Sequence, residues 1–186
     1  MSMKLITLVI VSGGVALSAF PAVRSNLENI IHSSADTASL PNRGQTPGVT
    51  DVSVSQANID QTICVPGYAK SVRPAYAFTG PLKRRLMRAR HPGESFRLYE
   101  LDHLIPLSIG GAPSDPHNLW LEPWTGQNNA ADKDALEFVL WRLVCRHEVP
   151  LATAQGAIAS NWIAAYQRYA TPENLTRFHF SHGEGK

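Results

Sequence analysis

Glu100-Leu101-Asp102-His103-Leu104-Ile105-Pro106-Leu107-Ser108-Ile109-Gly110-Gly111 is the stretch on which the fold of this chain turns. Residues 95–104 alternate loosely between apolar and polar, with Phe96, Leu98, Tyr99 and Leu101, as a strand does. Pro106 argues against continuation as a central strand, and Gly110-Gly111 with Pro113-Ser114-Asp115-Pro116 predicts a loop. Asn118-Leu119-Trp120-Leu121-Glu122 then reads as a second short strand. After it, Asn128-Asn129-Ala130-Ala131-Asp132-Lys133-Asp134 opens a helix, so the order is strand, loop, strand, helix.

Working outward, that helix is predicted over residues 129–147. Leu136, Val139, Leu140, Leu143 and Val144 form one apolar stripe, and Phe138, Trp141 and Cys145 form another. A helix apolar on most sides belongs at the centre of a domain. A further helical region follows Pro150, with Ile158, Trp162, Ile163, Tyr166 and Tyr169 at helical spacing as core. Upstream, Thr62-Ile63-Cys64-Val65 is predicted as a short strand before the Pro66-Gly67 turn. Pro81, a residue suited to a first helical position, is predicted to start a helix that ends at His91-Pro92-Gly93. No internal repeat is visible.

The chain has 186 residues, 44% of them hydrophobic, which suits one ordinary domain with tails. Lys4, an apolar run over residues 5–20, and the small residues Ala16, Ser18 and Ala19 before Pro21 predict an export signal over residues 1–22. An uncleaved anchor, which would be the only membrane contact, is the alternative, although the run is short against the roughly 20 residues of a full membrane span. Residues 23–60 are rich in Ser, Asn, Thr, Gly, Pro and Asp without sustained periodicity and predict a flexible, low-complexity linker. The domain proper is expected over residues 61–180, with a tail over 181–186.

Two cysteines, Cys64 and Cys145, stand 81 residues apart with no Cys-x-x-Cys pair, which argues against a zinc ribbon. In an oxidising compartment they can form a disulfide worth up to roughly 4 kcal/mol on the chain-entropy model; two buried thiols are the alternative. The formal net charge of +2 says little, but Lys83, Arg84, Arg85, Arg88 and Arg90 crowd together, with Arg73 upstream. Such a patch suits a phosphate backbone; a solvated helix face is the plainer reading.

The residue types around the loop suggest a chemistry. Asp is a hard oxygen ligand for magnesium or a similar ion, and a neutral His, with a reference pKa near 6.5, can accept a proton from water. Neighbours on a strand point to opposite faces, so Asp102 and His103 can serve one site only by flanking it near the strand end. Asn118 can hydrogen-bond the loop backbone and steady His103, while Asn129 can bring a carbonyl oxygen from the first turn of the helix, where it equally suits an N-cap. His117 is expected to face away as a loop residue or phosphate contact. Glu100 can support the site from the face of Asp102, though a surface strand carboxylate is the plainer reading, and Lys133 and Asp134 can pair around the site or lie on a solvated helix face.

In their order and spacing, Asp102-His103-x-x-Pro106, Gly110-Gly111, Asn118-Leu119 and Asn129 followed by Lys133 resemble the HNH endonucleases and their ββα-metal motif, over about residues 96–137. The wider chain, with Cys64-Val65-Pro66-Gly67, Arg73-Pro74 and Leu143-Val144-Cys145, looks like small exported bacterial proteins of that kind. The resemblance implies that His103 is the general base, that Asn118 orients it, and that Asp102 and Asn129 bind one divalent ion, most readily magnesium, with manganese or another transition metal as alternatives. Many family members carry a histidine at the last position, whereas this chain offers Asn128, Asn129 and Asp132; Asn129 is preferred by its spacing to Lys133.

The expected fold is thus α+β, a ββα-metal motif embedded in a mostly helical small domain. The expected function is an exported endonuclease acting on DNA, or RNA, with little sequence dependence, its backbone contacts at Lys83, Arg84, Arg85 and Arg88. Two alternatives are a nucleic-acid-binding domain of the same fold without turnover, and an envelope interaction domain in which Asp102 and His103 merely pair.

Overall fold

The computed structural model describes residues 40–181. The export signal, the start of the linker and the last five residues of the tail lie outside the described residues. Two strands, β1 (Tyr99–His103) and β2 (Leu119–Pro123), form an antiparallel pair in which Asp102 faces Trp120 and His103 faces Leu119. Among the described residues five α-helices accompany them: α1 (Tyr68–Val72), α2 (Tyr76–Arg90), α3 (Ala130–Cys145), α4 (Leu151–Tyr169) and α5 (Pro172–Arg177). The class is α+β, and among the described residues no helix is long and apolar enough to cross a membrane.

Helix α3 is central, as its two stripes require. Leu136, Val139, Leu140 and Val144 are fully buried, and Phe138 and Trp141 pack at the edge of the same core. Helix α4 lies against it through Leu151, Ala154, Ile158 and Trp162. Non-helical backbone at Asn161 breaks α4 into two segments, the second capped by Asn161 Oδ1, which accepts from the Ala164 amide. Cys64 and Cys145 form a disulfide that ties the start of the domain to the end of α3. Closing so long a loop stabilises the fold by about 4 kcal/mol on the chain-entropy model.

Four expectations need correction. Thr62-Ile63-Cys64-Val65 is not a strand: the Thr62 and Cys64 amides close turns onto the Ile59 carbonyl, and the Ile63 carbonyl accepts from Trp141 Nε1. Backbone groups satisfied locally leave nothing for a sheet ladder. Pro81 does not start its helix, because Phe78 and Thr79 already donate to the Ala75 carbonyl and the first turn closes at Tyr76. The strand predicted over residues 95–104 shrinks to Tyr99–His103, since the Ser95 hydroxyl accepts from the Arg97 amide and winds Phe96–Leu98 into a 3-10 turn.

The fourth correction matters most for the site. Residues 40–60, expected within the flexible linker, pack into the domain. Val54 and Ile59 enter the core, Thr46 is buried, and Thr50 pairs with Gly111. The Asp51 amide donates to the Gly110 carbonyl at 2.8 Å and the Ala112 amide to the Val49 carbonyl at 2.8 Å. The segment lacks periodicity because it lies along a loop, one backbone bond at a time, and does not add a face to a sheet or bundle.

Candidate functional site

The loop between β1 and β2 is built around Asn118, which is completely buried. Its Oδ1 accepts from the Ile105 amide at 2.9 Å and the Val49 amide at 3.4 Å, while Nδ2 donates to the carbonyls of Ile105 at 2.9 Å and Ala112 at 3.1 Å. One amide thus joins three segments. Gly111 permits the closure, since a Cβ there would sit 1.7 Å from the Ile105 carbonyl oxygen.

His103 ends β1 beside this loop. Its Nε2 lies 2.8 Å from the Pro113 carbonyl. A carbonyl only accepts, so Nε2 carries the hydrogen and, in the neutral ring, Nδ1 keeps its lone pair. Burial lowers the affinity of the ring for a second proton, and the charges of Lys133 and Arg73 act in the same direction; Asp102 and the Pro113 bond oppose them, and the net shift is below 6.5. His103 is therefore neutral at pH 7, although it is only 5% exposed.

Asp102 points to the other face of β1, where it meets Lys133 from the first turns of α3. Lys133 Nζ donates to Asp102 Oδ2 at 2.6 Å, to the His103 carbonyl at 2.8 Å and to Glu137 Oε1; Glu122 Oε2 lies 3.8 Å away. The three ammonium hydrogens are thereby used. Burial alone would raise the carboxyl of Asp102, yet Lys133, the His103 ring and backbone hydrogen bonding hold it below its usual range. Burial pushes Glu122 well up and Glu137 up to about 8, against the pull of Lys133. Lys133 is held well above its usual value because the surrounding carboxylates outweigh its own burial. The centre is a buried ion pair, Asp102 with Lys133, flanked by two acids driven toward their protonated forms.

Asn129 stands at the start of α3 as its N-cap. Its Oδ1 accepts from the Ala131 amide at 2.9 Å, its Nδ2 donates to the Gly126 carbonyl at 2.9 Å, and its own amide donates to Asp132. The donor pair expected for a divalent ion is thus occupied at both ends: Asp102 holds an ammonium, and Asn129 caps a helix. Among the described residues no group of three or more His, Cys, Asp or Glu side chains is placed to hold a metal. Of the other candidates at the helix, Asn128 adopts left-handed backbone with φ 52° and Asp132 completes the cap. Glu100 lies opposite Glu122 across the strands, and His117 is exposed, with Nδ1 3.0 Å from Asp115.

On the sequence alone Glu122 and Glu137 have no assigned role, and Lys133 has either a place in the site or a solvated face. The signal was there. Residues 133, 136, 140 and 144 share one helical face, so Lys133 falls on the buried stripe; Glu137 is its i+4 neighbour, and Glu122 interrupts an otherwise apolar strand. Beside Glu137, a cleft of about 450 Å³ is lined by Tyr68, Lys70, Arg73, Ser108 and Trp141, among others. On α2, Arg84, Arg85 and Arg88 are exposed, while Lys83 donates to the Tyr99 carbonyl at 2.6 Å. No protein-family model matches the chain, and neither curated proteins nor solved structures give a match.

Proposed function

We propose that the domain is an endonuclease of the ββα-metal (HNH) kind, hydrolysing phosphodiester bonds in DNA, or RNA, with little dependence on base sequence. The observation that carries the reading is the state of His103. It ends the first strand of a hairpin that leads into a helix, Pro113 holds its Nε2–H, and its Nδ1 is free of a proton at neutral pH. Asn118 keeps that loop rigid. In this scheme Nδ1 takes a proton from water and the water oxygen bonds to phosphorus. The bond to the leaving sugar oxygen breaks, that oxygen takes a proton from solvent, and the imidazolium returns its own to bulk water. Arg73 and the exposed arginines of α2 offset phosphate charge. The Cys64–Cys145 disulfide is compatible with work outside the cytoplasm, and export belongs to the same proposal.

To hold magnesium or manganese, Asp102 would exchange Lys133 and Asn129 the Ala131 amide for the ion. Those contacts, with the low exposure of His103, favour a second reading: a nucleic-acid-binding domain of the same fold without turnover. The full chain mixed with supercoiled plasmid separates the two. The first reading expects nicking with magnesium or manganese that a chelator stops. Retardation of uncut plasmid under both ions supports the second, and neither binding nor nicking overturns both.

A further inference from the structure

Three aromatic side chains, from the start of α2, the turn before β1 and the residue after β2, are exposed to solvent. Tyr76 is 77% exposed, Phe96 43% and Trp124 40%. They line one cleft of about 630 Å³ together with Lys83, Arg84 and Arg97, and among the described residues no carboxylate lines it. Glu94, nearby, is engaged by the Tyr99 hydroxyl at 2.7 Å. Gly80 shapes the surface: a Cβ there would come within 2.8 Å of the Tyr76 ring, so glycine lets that ring lie against the helix.

Rings interleaved with unpaired guanidinium groups match one kind of polymer. A duplex presents phosphates and hides its base faces, so it would meet the arginines and leave the rings unused. A single strand offers both, and stacking on an exposed ring is sequence-tolerant because every base has a π-face. We infer that this cleft binds single-stranded nucleic acid, with unpaired bases on Trp124, Phe96 and Tyr76 and phosphates on Arg84 and Arg97. Tyr99 lies in the cleft and His103 ends the same strand, about 13 Å further on at the usual rise per residue. The inference rests on the nucleic-acid reading above and narrows its substrate to unpaired strands.

The test measures fluorescence anisotropy with the full chain carrying His103→Ala, in chelator so that nothing is cut. The probes are labelled oligothymidylate of about 16 nucleotides and a duplex of equal length. The single strand is expected to bind at least about tenfold tighter, and Phe96→Ala with Trp124→Ala is expected to erase that preference while duplex affinity stays within about twofold. Gly80→Ala, which displaces the Tyr76 ring, is expected to weaken single-strand binding by a smaller factor. Equal or tighter duplex binding, or full single-strand affinity in the double variant, overturns the inference and leaves the nuclease reading standing. Binding of neither oligonucleotide overturns both.

Discussion

Lys133 and Arg84 are both cations on helices, yet they sit at opposite limits of solvent access. Lys133 is 1% exposed, with each hydrogen of its ammonium taken; Arg84 is exposed on the rim of an aromatic cleft. Burial makes the first charge part of the fold, because removing it strands Asp102 in a poorly polarisable interior. Exposure makes the second a charge in water, nearly neutral for stability and available to a ligand. The basic run on α2 and the lysine on α3 therefore answer different experiments.

The largest effect is expected at the buried end. Lys133→Met should destabilise the fold by about 3–5 kcal/mol, seen as a lower denaturation midpoint with little response to salt. A loss below about 1 kcal/mol would erase the contrast with α2. Next comes Asn118→Ala, which leaves the Ile105 and Val49 amides and two carbonyls without partners. A cost of about 3 kcal/mol is expected, with faster hydrogen exchange confined to the loop and residues 46–51.

Glu137 links the cluster to pH. Its carboxyl is raised from 4.5 to about 8 in the folded chain, so the stability it contributes is complete below pH 4.5 and is lost as pH rises through about 8. Thermal midpoints should fall across that window, and Glu137→Gln should flatten the fall; an unchanged slope would place the titrating group elsewhere. The smallest stability effect belongs to Arg84→Ala with Arg97→Ala, both exposed in the aromatic cleft, expected within about 0.5 kcal/mol. Its signature is in binding: with two cations fewer against the phosphates, the slope of log affinity for a single strand against log salt should drop by about 1.4.

Much of the scaffold was legible because periodicity is a property of sequence alone. The stripe at Leu136, Val139, Leu140, Leu143 and Val144 fixes α3 as central, and the aromatic spacing after Pro150 places α4. What stayed hidden depends on partners distant in the chain. Residues 40–60 look like a linker until the loop they line is folded, and Lys133 looks like a surface lysine until Asp102, Glu122 and Glu137 converge on it. Asn129 carries two roles in one residue type, and only coordinates show its amide spent on the cap. Pro81 misled because a helix can begin one turn earlier and absorb the single bond that proline removes.

His103 as a neutral base carries the proposed chemistry, and the most direct measurement is the rate of plasmid nicking against pH for the parent chain and for His103→Ala. The parent is expected to keep its rate down to a pH below 6.5, falling only as the depressed imidazole takes a second proton, and the variant to lose nicking at every pH. Equal rates in the two proteins, or no nicking by the parent at any pH with magnesium or manganese, would contradict it.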